Sequence, residues 1–113
     1  MHTKHKGILG EYIAAFLLML KGFRILKMRY KTLCGEIDLV AKKGDLIIFV
    51  EVKSRKTMEQ CYDAIHNTQM RRIQNASKIF LKKYSEFSRL CLRYDVVLVA
   101  DWKIPKHIEN ITM

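Results

Sequence analysis

The fold of this chain is decided by the stretch GEIDLVAKKGDLIIFVEVKSRK, residues 35–56. Two segments rich in apolar and β-branched residues, 35–42 and 45–53, lie on either side of a Lys-Gly pair. Because glycine adopts the positive φ that tight hairpin turns require, the pattern predicts a β-hairpin whose two-residue loop is Lys43-Gly44.

Four charged side chains are predicted to share one face of this hairpin. The loop would pair Lys42 with Asp45, which places Glu36 opposite Glu51 and makes Asp38 a diagonal neighbour of Glu51, with Cβ atoms about 5.5–8 Å apart. Side chains alternate along strands, so the two faces receive different sets. The polar set is Glu36, Asp38, Glu51 and Lys53, and the apolar set is Ile37, Leu39, Ala41, Leu46, Ile48, Val50 and Val52.

Carboxylates inside these strands need an explanation, because acidic residues are disfavoured in strands and in cores. A divalent cation is one explanation, since Asp38 and Glu51 can share a Mg²⁺ whose oxygen ligands lie about 2.0–2.1 Å away. The alternative is a solvated strand end at which acids pair with lysine. That alternative explains Glu36 and Lys53 well, but it explains Asp38 and Glu51 poorly, because apolar residues flank both.

The remainder of the chain predicts two helices and further strands. In order, these are a helix at 4–21, a strand at 23–31, the hairpin, a loop over 54–66, a helix at 68–84, a strand at 90–100 and a short edge strand near 107–111. The predicted apolar stripes are Ile8, Tyr12, Ala15, Phe16 and Met19 in the first helix and Met70, Ile73, Ala76, Phe80 and Tyr84 in the second. The order α-β-β-β-α-β predicts an α/β fold with a mixed central sheet flanked by helices, in which the last strand runs parallel to the outgoing hairpin strand.

Length and charge limit the possible functions. A chain of 113 residues builds one core, so we expect a single domain, residues 1–113, with its core at about 7–100 and a weakly patterned tail. The formal net charge of +10 is what a nucleic-acid partner requires, but a merely solvated basic surface accounts for it equally well. No apolar run approaches the roughly 20 residues of a membrane span. The widely spaced cysteines form no disulfide or zinc pattern, so a cytoplasmic location is expected.

The hairpin matches the PD-(D/E)xK nuclease motif in outline. Asp38 supplies the first acid, and Glu51-Val52-Lys53 supplies the acid-x-Lys sequence. A cation held by Asp38 and Glu51 would neutralise charge that develops on a phosphate and would lower the pKa of a water molecule. Lys53 would orient or deprotonate that water, or stabilise the transition state.

Several segments together resemble the YraN family of small bacterial proteins, which are similar to Holliday-junction resolvases and other restriction-endonuclease-like nucleases. These segments are GILGEYIAAFLLMLKGFRIL at 7–26, GEIDLVA at 35–41, FVEVKSR at 49–55 and RYDVVLV at 93–99. The resemblance implies a restriction-endonuclease-like fold and a Mg²⁺- or Mn²⁺-dependent nuclease that acts on DNA, with branched or damaged DNA among the candidate substrates. A homodimer is a candidate assembly because a two-fold dimer suits cleavage of two strands at one junction.

The resemblance also implies roles for individual residues. Asp38 and Glu51 match the metal-binding acids, and Lys53 matches the catalytic lysine. Glu11, whose position alone favours the edge of a helical stripe, matches a catalytic and metal-binding acid that related nucleases carry on a helix. Glu36 matches a family acid and is an accessory candidate.

Basic and polar residues outside the hairpin are candidate nucleic-acid contacts. They are Arg55, Gln69, Arg71 and Arg72. Two positions depart from the family pattern: Arg29 stands where members often have Asn, and Gln69 stands where they often have Lys. Asp95, in the RYD segment, is expected to play a structural role by pairing with a basic neighbour.

Two other functions remain open. The first is a nucleic-acid-binding module that keeps the fold but has no turnover, and the intact set of two acids and a lysine favours the nuclease over it. The second is a partner-binding protein, which would expose an apolar patch. Phe16, Phe49 and Trp102 are candidates for such a patch, although we expect the first two in the core.

Overall fold

The structure is a computed structural model that describes residues 3–111, with side chains described over residues 7–111. The single domain predicted for residues 1–113 includes residues 1, 2, 112 and 113, which lie outside the described part. The elements are α1 (Thr3–Leu20), β1 (Arg24–Thr32), β2 (Gly35–Lys43), β3 (Leu46–Arg55), α2 (Met58–Ile65), α3 (Met70–Lys83), a 3₁₀ turn (Ser85–Phe87), β4 (Cys91–Ala100) and β5 (Lys106–Ile108).

The strands form one five-stranded mixed sheet in the order β1-β2-β3-β4-β5. Only the β3–β4 pair is parallel among the strand pairs of the described chain. The predicted α/β fold is confirmed, with its mixed central sheet and with β4 parallel to the outgoing hairpin strand β3. Among residues 3–111, no helix combines the length and apolar character that crossing a membrane requires.

Helix α2 occupies part of the segment that was predicted as a loop. The Thr57 hydroxyl accepts a hydrogen bond from the Gln60 amide and caps its first turn. Cys61 and Ala64 are buried and Met58 and Ile65 pack beside them, so the helix has an apolar stripe, but one that spans only eight residues. The prediction of a loop was therefore wrong because the stripe is shorter than the roughly 11 to 18 residues over which helical periodicity is usually recognised.

Helix α1 buries a different face from the predicted stripe. Gly10, Ala14 and Leu18 face the sheet, whereas Phe16 is 61% exposed. The predicted core role of Phe16 is therefore wrong, and that of Phe49, which is fully buried, is confirmed. The helix is apolar on nearly every side, so spacing alone cannot select its face, and its small residues permit the closest approach to the sheet. The large side chains left outside are Leu9, Tyr12, Phe16, Met19 and Leu20.

The hairpin register differs from the prediction by two residues. Its loop is Gly44-Asp45, so Lys43 pairs with Leu46, and the predicted pairing of Glu36 with Glu51 is wrong. Gly44 has φ +58° and occupies the first loop position, not the second. Because side chains alternate with a period of two, the slip itself preserves the faces, and Leu39, Ala41, Ile48 and Val50 share one face as predicted. Continued along the strands, the observed register would place Asp38 opposite Glu51.

The sheet has an apolar core on each face. On one face α1 packs against a cluster that includes Leu39, Ala41, Ile48 and Val50. On the other face α3 packs against Val40, Ile47 and Phe49, and α2 packs against Val96 and Leu98. Ile37 was predicted to lie with Leu39 but packs on the α3 side. The strict alternation of β2 therefore fails near its start, next to Asp38.

Candidate metal and nucleic-acid site

The candidate site lies where β2 and β3 separate. Backbone pairing between them runs from Lys43–Leu46 to Leu39–Val50 and ends there. Beyond this point β2 remains paired with β1, while β3 remains paired with β4 as far as Arg55. The separation opens a gap in the sheet at the level of Asp38.

Asp38 occupies this gap, and its side chain replaces a backbone hydrogen bond that is missing between β2 and β3. Its Oδ2 accepts a hydrogen bond from the Val52 amide at 2.8 Å, so a backbone donor that β2 no longer satisfies is paired by a side chain. Burial and, after it, the adjacent Glu51 carboxyl together raise the pKa of Asp38 to about 8, against the opposing effect of the Val52 amide. The Asp38 carboxyl is thus held where no cation among the described side chains stabilises its charged form.

Glu11 approaches the same place from helix α1. One oxygen each from Glu11, Glu36 and Asp38 lie within 4.8 Å of one another, and all three residues are half-buried. Burial raises the pKa of Glu11, and the nearby Glu36 and Glu51 add to this effect, whereas Arg29 lowers it. The structure therefore brings together two predicted metal ligands, Glu11 and Asp38, with the predicted accessory residue Glu36.

Glu51 lies beside this trio and is engaged by two cations. Its Oε2 is 2.9 Å from Nη2 of Arg72 on α3 and 3.4 Å from Nζ of Lys53. The Glu51 side chain is 9% exposed and that of Lys53 is 11% exposed. The structure brings Asp38, Glu51 and Lys53 close together, but Glu51 contacts Arg72 of α3 whereas Asp38 lies with Glu11 of α1, an arrangement that the hairpin pattern does not predict.

Arg29 provides the corresponding cation for Glu11. Its Nε lies 3.6 Å from Oε1 of Glu11, and Arg29 adopts φ +50°, a left-handed conformation unusual for an arginine. Asparagine, the residue that the family resemblance led us to expect here, adopts this conformation more readily than arginine. An unfavourable backbone conformation thus holds a guanidinium beside the acids.

The donor atoms suit a hard divalent cation. Carboxylate oxygens are the ligands that Mg²⁺ and Mn²⁺ prefer, and adjacent ligands of an octahedral ion lie about 3 Å apart. Oε1 of Glu11 is buried and has no hydrogen-bond partner among the described residues. The three carboxylate oxygens lie within 4.8 Å of one another. Each oxygen–oxygen distance would therefore shorten by no more than about 2 Å to reach the spacing of about 3 Å between adjacent ligands. Glu11, Glu36 and Asp38, with Glu51 adjacent, could therefore hold such an ion.

The remaining predicted contacts lie in different environments. Arg71 and Gln69 are exposed at the start of α3, and Arg55 is exposed at the end of β3, where its guanidinium donates to the Ser54 carbonyl. Only Arg72 reaches the acids among these four. The sequence contains a signal for this difference, because Arg72 directly precedes Ile73 at the edge of the buried stripe of α3.

Asp95 belongs to a separate network, as expected of a structural acid. Both its oxygens accept hydrogen bonds from Arg93, at 2.9 and 2.8 Å, and its Oδ2 also lies 2.7 Å from Nε2 of His107. Oδ1 accepts a further bond from the Asn110 amide. Burial alone would raise the pKa of Asp95, but these hydrogen bonds lower it to about 2. The network ties the C-terminal segment to β4.

Comparison with known proteins places the chain in a family. Residues 10–99 match the model described as "Uncharacterised protein family UPF0102". The chain belongs to the UPF0102 family. It is 48% identical over 105 residues to a UPF0102 protein of Sinorhizobium medicae, covering 93% of this chain and 86% of that protein. It is 49% identical over 106 residues to one of a Chelativorans species, covering 94% and 86%. It is 40% identical over 104 residues to one of Bartonella tribocorum, covering 92% and 80%.

The UPF0102 match covers Glu11, the hairpin and Arg72, so the whole candidate site lies within the part shared with the family. UPF0102 is the YraN family, and the resemblance inferred from GEIDLVA and FVEVKSR is confirmed. The family description assigns no activity.

Proposed function

We propose that this UPF0102 protein is a Mg²⁺- or Mn²⁺-dependent nuclease of the PD-(D/E)xK type that acts on DNA. One observation carries the proposal: Glu11 from a helix and Glu36 and Asp38 from a strand present oxygens within 4.8 Å of one another, in a chain of net charge +10. A basic protein that concentrates acids at one buried point fits a site for a cation and a polyanion together.

Each residue of the site has a role that its position supports. Asp38, Glu11 and Glu36 would hold the cation, and Glu51 would complete the ligand set once Arg72 moves from it. The bound ion supplies charge stabilisation for the phosphate and an acidified water molecule. Lys53 lies against Glu51, two residues along β3, where its ammonium can orient the attacking water or stabilise the pentavalent phosphate.

The experiment is a cleavage assay with end-labelled four-way junction, flap, abasic duplex, intact duplex and single-stranded DNA. The variants are Asp38→Asn and Lys53→Met, and Glu86→Gln serves as the control because it removes an exposed acid on the 3₁₀ turn, away from the cluster. We expect cleavage by the unmodified protein in Mg²⁺ or Mn²⁺, loss of about 100-fold or more in both site variants, and no change in Glu86→Gln.

A second function is favoured by a different observation. Glu51 already has two cationic partners and Glu11 has one, so much of the acidic charge is neutralised without a metal. Such a site suits a nucleic-acid-binding module without turnover. In that case the unmodified protein binds DNA with a salt dependence from counterion release, and neither metal nor Lys53→Met alters binding or produces cleavage.

The exposed face of α1 supports a homodimer as part of the proposal. Tyr12, Phe16 and Met19 are each more than half exposed, on the side of the helix that faces away from Gly10 and Ala14. Contiguous exposed apolar residues of this size mark interaction surfaces. Sedimentation velocity should show that the unmodified protein is a dimer and that Phe16→Glu is a monomer with an unchanged circular dichroism spectrum. An unmodified protein that is still monomeric at about 100 µM would contradict the homodimer.

A further inference from the structure

Arg72 makes an incomplete contact with the acidic cluster. The side-on edge of a guanidinium presents two parallel donors, Nε and Nη2, that match two oxygens of a carboxylate or phosphate. Arg93 shows the complete arrangement, with Nε and Nη2 each donating to a different oxygen of Asp95. In Arg72 only Nη2 is engaged, at 2.9 Å from Glu51 Oε2. Its Nε is buried and has no hydrogen-bond partner among the described residues.

The unpaired Nε donor indicates a missing oxygen. Buried donors are nearly always satisfied, because an unpaired one loses its hydration without compensation. The Arg72 side chain is 32% exposed as a whole but its Nε is buried, so an oxyanion can reach this donor only when the guanidinium moves from its place beside Glu51. An oxyanion that accepts a hydrogen bond from Nε would give Arg72 the same two-donor arrangement that Arg93 makes with Asp95.

The path of the Arg72 arm depends on Gly35. A Cβ atom at Gly35 would lie 2.5 Å from Cγ and 2.6 Å from Cδ of Arg72, so the arm crosses the backbone of β2 where no side chain can be accommodated. Gly35 has φ +131°, which other residues rarely adopt. The glycine that precedes Glu36 at the start of β2 thus leaves the space in which the Arg72 side chain extends to Glu51.

Arg72 and a divalent cation would compete for the same carboxylate. Glu51 Oε2 already lies near Arg72 and Lys53, and a third positive charge at that oxygen would be repelled by both. Binding of the ion through Glu51 therefore favours departure of Arg72. The guanidinium would leave with its whole side-on edge available, within the length of one side chain of the bound ion.

We propose that Arg72 binds a backbone phosphate of DNA and is held on Glu51 until the metal takes that carboxylate. The inference rests on the nuclease function proposed above, and it gives Arg72 a positioning role that the exposed Arg71 does not share. The ligand class is a phosphodiester, whose two non-bridging oxygens match the Nε and Nη2 donors.

The test compares Arg72→Ala and Arg72→Lys with Arg71→Ala, which removes the same charge from the same turn of α3 without a contact to Glu51. Calorimetry measures Mg²⁺ affinity without DNA, and fluorescence anisotropy measures binding of a labelled DNA junction in Ca²⁺ at several salt concentrations. We expect Arg72→Ala to bind Mg²⁺ about 3- to 10-fold more tightly, because a competing charge is gone. It should bind DNA about 10-fold more weakly, with a salt slope reduced by about one.

The control variant should leave Mg²⁺ affinity unchanged. Arg72→Lys keeps the charge and loses the side-on pair, so it should retain the Mg²⁺ affinity of the unmodified protein and lose DNA affinity, and it also serves if Arg72→Ala does not fold. Weaker binding of both Mg²⁺ and DNA in Arg72→Ala, or DNA binding unchanged in both Arg72 variants, would overturn the inference. Failure of the unmodified protein to bind Mg²⁺ at all would instead overturn the proposed nuclease.

Discussion

Gly10 of helix α1 lies directly against Ser54 of strand β3. A Cβ atom at Gly10 would be 2.9 Å from both Cβ and Oγ of Ser54, which is too close for any side chain. The next residue is Glu11, so this contact fixes how closely the helix brings its acid to the gap between β2 and β3. The distance between α1 and the sheet is therefore linked to the geometry of the acidic cluster.

The Gly10–Ser54 contact predicts a selective effect of Gly10→Ala. The added methyl pushes α1 outward and moves Glu11 away from Glu36 and Asp38, so Mg²⁺ affinity measured by calorimetry should fall about tenfold. The control is Gly7→Ala, because nothing lies within 4 Å of a Cβ at Gly7. That variant should keep the Mg²⁺ affinity and gain up to about 1 kcal/mol of stability from helix propensity. Equal affinities in the two variants would refute the linkage.

The raised pKa of Asp38 predicts that metal binding depends on pH. Burial and Glu51 raise this pKa to about 8, so at neutral pH the carboxyl holds a proton that the metal must displace. Apparent Mg²⁺ affinity should rise about tenfold per pH unit up to about pH 8 and then level off. Calorimetry in buffers of different ionisation enthalpy should detect the release of about one proton at pH 7. A flat affinity profile between pH 6 and pH 8 would be incompatible with this role.

The same shift predicts how metal-free stability varies with pH. The folded-state pKa of Asp38 is raised from 3.8 to about 8, so the folded state binds more protons than the unfolded state between these values. The contribution of Asp38 is therefore fully present below about pH 4 and is lost as the pH rises through about 8. Urea unfolding should show this decline, and Asp38→Asn should flatten it. Thermal stability at pH 8 should rise in the unmodified protein when Mg²⁺ is added.

Asp95 is predicted to act on stability and not on metal binding. Its pKa is lowered to about 2, so its contribution is present above the ordinary value of 3.8 and is lost as the pH falls from about 4 to about 2. Asp95→Asn leaves Arg93 without its buried anionic partner, and unfolding should cost about 3 kcal/mol less. Mg²⁺ affinity should be unchanged. A loss of Mg²⁺ affinity without a loss of stability would instead indicate that Asp95 belongs to the metal site.

The two sides of α1 are predicted to differ in their tolerance of truncation. Leu18 is fully buried and Phe16 is 61% exposed. Leu18→Ala should lower the free energy of unfolding by about 3–4 kcal/mol, while Phe16→Ala should change it by less than about 0.5 kcal/mol in the monomer. Urea unfolding at low protein concentration measures both. A cost at Phe16 comparable to that at Leu18 would mean that the predicted stripe, and not the observed one, faces the core.

Sequence patterns predicted the parts of this protein that depend on local periodicity. Alternation predicted the faces of the hairpin between Leu39 and Val50, and a slip of two residues in the register left those faces unchanged, whereas it failed at Ile37, next to Asp38. Periodicity could not select the buried side of α1, because Phe16 and Leu18 are both apolar and only the close approach at Gly10 decides between them. Helix α2 was missed for a different reason, since its apolar stripe spans only eight residues and is too short to stand out as helical periodicity.

The cationic partners of the acids depend on tertiary structure and were therefore harder to predict from the sequence. Arg71 and Arg72 are adjacent and chemically identical in the sequence, yet only Arg72 passes over Gly35 to reach Glu51. Arg29 reaches Glu11 through a left-handed backbone conformation that no local pattern announces. Motif resemblance located the acids, whereas the partners of those acids follow from the packing of α3 and β1 on the hairpin.

The attachment of the C-terminal segment to β4 affects whether one molecule pairs with the sheet of another. Strand β5 covers the outer edge of β4 along Val96, Val97 and Leu98. Without that cover, β4 would present an apolar strand with unpaired backbone groups, which is a template for pairing with the sheet of another molecule. The buried contacts of Asp95 with His107 and the Asn110 amide hold the cover in place. These contacts therefore protect the protein against aggregation as well as against unfolding.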